Sequence, residues 1–338
     1  LKSRPGGAPE GGRRAIFGDV LRLVSGTGIA QIIGTLASPI IARLYGAETM
    51  GIAALFAALT GILSAAACLS YEQTIVIADD DSVGANMFVG SILCAALVAT
   101  ATVPLVWFYG PAILSWGGIP ELMPFLWLIP LVLLVHGAFL ALNYWNTRTK
   151  HYARLSVARV TSQVATTSMS LGMGFAGYTT PAMLIGASVG GQGIAAVALG
   201  GQIWRDQGKY IIGLCSWRRI REGLLRYKRF PTFRTASTLL NSASWQLPVL
   251  MLGVFFSPVV VGFYALGFRI LQMPMSLVGK AISQVFLQRA SVERASGKLD
   301  SLVQDLFQRL FIVALLPVLI LMVVGKELFT LIFGAEWA

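Results

Sequence analysis

Apolar residues run along this chain in long unbroken stretches, without the strict alternation of a half-buried strand. Nine stretches stand out, at roughly 17–43, 47–77, 84–109, 122–146, 153–176, 180–204, 232–256, 258–288 and 305–333. Each is long enough to cross a bilayer as a helix, which takes about 20 residues. Turn-forming residues separate them: Leu44-Tyr45-Gly46, Asp79-Asp80-Asp81, Gly117-Gly118-Ile119-Pro120, Gly177-Tyr178 and Ser257-Pro258. The pattern predicts an all-α integral membrane protein, a multi-spanning helical bundle. It divides into a polar tail at 1–15, six helices within 16–205, a basic linker at 206–231, and about three helices within 232–338.

Composition agrees with the pattern. The 338 residues are 56% hydrophobic and 12% charged, and mean hydropathy is +0.72; a soluble domain carries about 25% charged residues. The net charge of +11 does not argue for a nucleic-acid partner, because the cations follow topology and form no stripe. With the amino terminus in the cytoplasm, the inner segments hold the tail arginines, Arg148, Lys150 and Arg154, the cations of 205–229, and Arg289, Arg294 and Lys298. The outer loops hold only Arg43 and Lys326. That asymmetry sets the expected orientation. In the linker, WRRIREGLLRYKRF interleaves cations with Trp217, Ile220, Leu224, Leu225 and Tyr227. Two readings stay open for it: a helix lying on anionic headgroups, or a basic loop that only fixes topology.

Several motifs reduce to packing. Gly172-Met173-Gly174-Phe175-Ala176-Gly177 matches a nucleotide-binding pattern but ends an apolar helix with no strand before it. Gly186, Gly190, Gly191 and Gly193 have helix-packing spacing. Pro104, Pro130, Pro248, Pro274 and Pro317 are expected to bend their helices. Asp79–Asp81 reads as a helix cap, with Asp81 or Ser82 as the capping residue, rather than as a metal cluster. Cys68, Cys94 and Cys215 have no metal spacing. His136 and His151 belong to no nucleophile–base set. No cofactor, metal or catalytic residue is expected, and nothing argues for an enzyme.

The informative residues are cations inside oil-like helices. Arg269 lies roughly 16 Å along its helix from Pro258, too deep to snorkel easily. Arg269, Gln272, Ser276, Lys280 and Ser283 fall on one helical face. Arg234, Ser237, Thr238 and Asn241 form a similar face in helix seven, and Arg159, Ser162, Gln163, Thr166 and Ser170 in helix five. Helix one adds Arg22 and Ser25. The simplest account is a shared wet, cationic cavity, against each cation being buried in a structural pair or snorkelling, and such a cavity suits phosphate. Aromatics such as Trp245 suit sugars. For Arg22, Arg159 and Arg234, near inner helix ends, snorkelling remains the other reading, and for Lys280 the two readings are even. Glu72 is the carboxylate that can pair with one of these cations or serve a coupling ion. There is also an internal repeat: Arg22 and Ser25 match Arg234 and Ser237 at an offset of 212, and Gly51 and Leu55 match Gly262 and Leu266 at 211.

The stretches ARLYGAETMGIAALF, SYEQTIVIADDDSVGANMF and STLLNSASWQLPVLMLGVFFSPVVVGFYALGFRILQMPMSLVGKAISQVFLQRA resemble the O-antigen and polysaccharide flippases (Wzx-like) of the multidrug/oligosaccharidyl-lipid/polysaccharide exporter (MOP, MATE-like) superfamily. The resemblance implies a two-lobed transporter in the bacterial inner membrane. Its cargo would be an undecaprenyl-diphosphate-linked oligosaccharide of lipopolysaccharide or exopolysaccharide, moved among membrane lipids by alternating access with H+ or Na+ as coupling ion. It places the cationic cavity on Arg269, then on Lys280, Arg22 and Arg234. Members have twelve or more spanning helices, so a chain with nine is expected to be truncated in its second lobe. Two other readings compete: a cation-coupled multidrug exporter, which wants a buried carboxylate, and a membrane enzyme of glycan assembly, which wants a large polar outer loop.

Overall fold

The computed structural model describes residues 10–272 and 299–337. Lys280, Pro274, Ser276 and Ser283 lie outside the described residues. Among those described, the chain is helical and contains no strand. The first helix, α1 (Glu10–Ser64), is one run of 55 residues broken into two limbs at Gly46, where φ is 71° and ψ 169°. That backbone conformation is open to glycine and strained for any residue with a Cβ. It falls at the predicted Leu44-Tyr45-Gly46 break. After Ser64 the chain turns back through Leu69 and Ser70, both at positive φ. A 3₁₀ turn (Tyr71–Gln73) and the short α2 (Thr74–Ile77) follow.

Next come α3 (Asp81–Trp116), α4 (Leu128–Arg148), α5 (Tyr152–Phe175) and α6 (Pro181–Leu214). After them stand α7 (Trp217–Arg226) and α8 (Thr235–Phe255), then α9, described over Pro258–Gln272, and α10 (Leu299–Phe333). Five of the described helices are long and apolar enough to cross a membrane: α1 from Gly26, α3, α4, α6, and the Phe230–Phe255 run containing α8. One outlasts its apolar sequence. α6 continues ten residues past the expected end at 204, because backbone hydrogen bonding persists after hydropathy has fallen. α5 has the length, at about 36 Å, but carries too many polar groups to qualify. It sits between α1 and α6.

Large side chains that a soluble protein would bury face outward here: Leu36, Trp107, Phe108, Trp116, Val197 and Trp204 are all exposed. Such a surface calls for lipid. Inside, one apolar cluster gathers Leu55, Phe56, Leu122, Leu133, Ile185 and Val261. Another gathers Tyr71, Ile75, Met87, Phe88, Trp145 and Leu199 at the basic end.

Several local expectations change. Pro130 sits in the first turn of α4, where its missing N–H leaves no gap in the ladder. The N-cap of α3 is Asp80, and its side chain makes no capping bond. Asp81 instead pairs with Arg148 at 2.9 Å, and Asp79 with Arg226 at 3.0 Å. Of the small residues on α6, Gly190 and Gly191 press on α5, while a Cβ on Gly186 or Gly193 would meet open space. α7 forms as a helix, and its Ile220–Leu224 side rests on Gly90 of α3, leaving Trp217 and Leu225 exposed.

The internal repeat meets itself in space. A Cβ placed on Gly51 would overlap the Pro258 carbonyl oxygen, and one placed on Gly262 would overlap the Ala47 carbonyl oxygen. Ala47 and Pro258 differ by 211 in number, as do Gly51 and Gly262. The contact is therefore reciprocal, as in a two-fold interface. Leu55 and Leu266, also paired by the repeat, are 0% and 1% exposed.

Candidate functional site: a cation-lined cavity

Two adjoining cavities open between α1, α5 and α9. The larger, of about 510 Å³, lies among both limbs of α1, α4, α5, α6 and α9. The smaller, of about 420 Å³, lies among the first limb of α1, α4, α5 and α9. The polar stripe of α5 supplies the common wall. Arg159, Ser162 and Gln163 line the smaller cavity; Gln163, Thr166 and Ser170 line the larger. Spacings of three and four keep them on one face, so the helical period of the sequence already marked this wall.

Arg269 lines both cavities and is exposed within them. Its Nη2 donates to the Gly34 carbonyl at 3.2 Å. Gly34 makes room: a Cβ there would stand 3.0 Å from that Nη2 and 2.8 Å from Gln163 Nε2. Arg159 reaches across to α1, where its Nη1 donates to Thr27 Oγ1. Among the described residues neither guanidinium pairs with an acidic side chain. None of the residues lining either cavity is Asp or Glu. Gly34→Leu is expected to displace Arg269 and reduce function at normal protein level, read out in the same export assay as Arg269 itself.

The remaining candidates divide. Gln272 joins Arg269 in the smaller cavity. Arg22 lies on the first limb of α1, and its side chain is not among those described. Lys280 is outside the described residues. Arg234 stands at the start of α8, where its Nε donates to Gln73 Oε1 at 3.1 Å. Asn241 is exposed on α8, and neither it nor Trp245 lines either of these two cavities. The reason lies in the docking of α8: Ser242 Oγ donates to the Gly61 carbonyl at 3.1 Å, and Gln246 and Gly253 lie against the second limb of α1. That leaves the Asn241 side facing out. Glu72 is buried in the 3₁₀ turn with Oε2 unpartnered among the described residues. Burial raises its carboxyl above the ordinary range, and the nearby charge of Arg234 works against the rise.

Sequence reasoning missed the far wall of the larger cavity. There His136 of α4 meets Gln192 of α6, with Nδ1 and Nε2 3.1 Å apart. Each is a single polar residue in an apolar run, and no periodicity brings two such residues together.

Fold and site together define a multi-spanning all-α membrane protein built around a cation-lined cavity. Over residues 40–338 the chain matches the family described as polysaccharide biosynthesis protein. It belongs to that family, and its role lies in polysaccharide biosynthesis or export. No curated protein and no solved structure matches it.

Proposed function

We propose that the chain is a flippase that carries an undecaprenyl-diphosphate-linked oligosaccharide from the inner to the outer leaflet of a bacterial inner membrane. One observation carries this reading: Arg269 lines two adjoining cavities with no described acidic partner. An intramembrane guanidinium is expensive unless it meets water or an anion. A diphosphate answers it with two acceptor-rich groups that the planar fork can grip. The lipid tail would stay in the bilayer while the headgroup occupies the cavity, and rocking of the helices would change the side to which it opens. In this reading the protein is a carrier without catalytic residues. Its amino terminus faces the cytoplasm, as the clustering of cations favours. H+ or Na+ supplies the coupling, and Glu72 is the buried carboxylate available for it. A multidrug exporter would want an acid in the cavity for cationic cargo, and none lines the described walls.

Arg269→Ala should lower surface polysaccharide at least ~10-fold, the loss expected when a charge-assisted contact worth about 1.5–3 kcal/mol is removed. Arg269→Lys should fall between wild type and Ala, keeping the charge without the fork. Export that stays intact in Arg269→Ala at normal protein level would sink the proposal.

A further inference from the structure

The two cavities share Arg269 and Gln163 but differ in chemistry. The smaller holds two guanidinium groups, Arg159 and Arg269. Among the described residues lining the larger, Arg269 alone is formally charged, and it also lines the smaller cavity. The other described polar groups there are amides, hydroxyls and an imidazole, among them Gln163, Thr60, Thr166, Ser188, Gln192 and His136.

We infer, building on the flippase reading, that the larger cavity seats the first, uncharged sugars of the cargo, with His136 and Gln192 reading their hydroxyls, while the smaller cavity takes the diphosphate. The pair is suited to this. With the Gln192 amide nitrogen donating to Nδ1 at 3.1 Å, the imidazole proton sits on Nε2. His136 then keeps one free N–H donor, and Gln192 keeps its Oε1 acceptor. Neither atom has another partner among the described residues. A sugar hydroxyl both donates and accepts, so it can satisfy the two together. Aliphatic neighbours such as Val132 and Val189 offer surface for the C–H face of a pyranose ring. A cavity of about 510 Å³ falls within the 300–1,000 Å³ range of small-molecule sites. Among the described lining residues an anionic sugar would find Arg269 alone, which the diphosphate already engages.

The test uses the purified full chain in lipid nanodiscs and two probes: undecaprenyl diphosphate, and the same lipid bearing one N-acetylhexosamine. Wild type is expected to bind the sugar-bearing lipid ~10-fold more tightly than the bare one, the gain of one or two buried hydrogen bonds. His136→Leu and Gln192→Leu should erase that difference while leaving bare-lipid binding unchanged, which also reports that they fold. His136→Gln, which retains a donor and an acceptor, should keep much of the difference. Arg269→Gln should weaken both probes alike. A wild type that does not distinguish the probes overturns the inference, as does an apolar variant that still distinguishes them. Failure of wild type to bind either lipid would instead overturn the flippase reading itself.

Discussion

Gly51→Val is expected to prevent stable folding, and Gly262→Val to do the same. At both positions the new Cβ would overlap a backbone carbonyl oxygen of the opposing helix, Pro258 in one case and Ala47 in the other. Backbone cannot swing aside as a flexible side chain can, so α1 and α9 must separate. Overpacking of this kind typically costs about 1–3 kcal/mol, and occasionally more. Here it falls beside Leu55 and Leu266, which are almost fully buried, so separation would also open voids around them. The upper end of that range is the expectation. Thermal unfolding in detergent, followed by size-exclusion chromatography, provides the measurement. Gly201→Val is the control, because a Cβ there meets nothing within 4 Å; it should change stability little. The double variant Gly51→Val/Gly262→Val should lose less than the sum of the singles, since both force the same pair of helices apart. If Gly51→Val melts with Gly201→Val, the close crossing does not exist.

This crossing explains what the sequence could and could not reveal. The repeat was visible because residues near a two-fold contact face the same demand twice, and glycine meets it both times. The breaks at Gly46 and Ser257 were visible because turn chemistry is local. The stripe on α5 was visible because a helix repeats every 3.6 residues. Where a stripe points is a different matter. The faces of α5 and α8 look alike in sequence, yet α5 turns its polar groups to the cavity. α8 docks through Ser242, Gln246 and Gly253, which sends Asn241 outward. That choice depends on neighbours far away in the chain. So does the meeting of His136 with Gln192, which are 56 residues apart and without a pattern to join them.

Cations illustrate the same division. In the sequence Arg148 counts as one more positive charge flanking a helix. In the structure it holds a corner together, and Arg148→Ala should cost about 3 kcal/mol or more. Its Nη1 donates to the Ile75 and Ala78 carbonyls at 2.7 and 2.9 Å, and its Nη2 to Asp81 Oδ1 at 2.9 Å. Those carbonyls end α2, where no further turn of helix exists to satisfy them. The Arg148 side chain is 12% exposed, whereas that of Asp81 is 70% exposed. The two partners therefore contribute unequally. An exposed carboxylate adds about 0–1 kcal/mol, so Asp81→Asn should be mild. Arg148→Lys should fall between them, because a single ammonium cannot span two carbonyls and a carboxylate with fixed geometry. The order of melting temperatures should be wild type, Asp81→Asn, Arg148→Lys, Arg148→Ala. If Asp81→Asn were as damaging as Arg148→Ala, the ion pair and not the capped carbonyls would be what ties α2 and α3 to the end of α4.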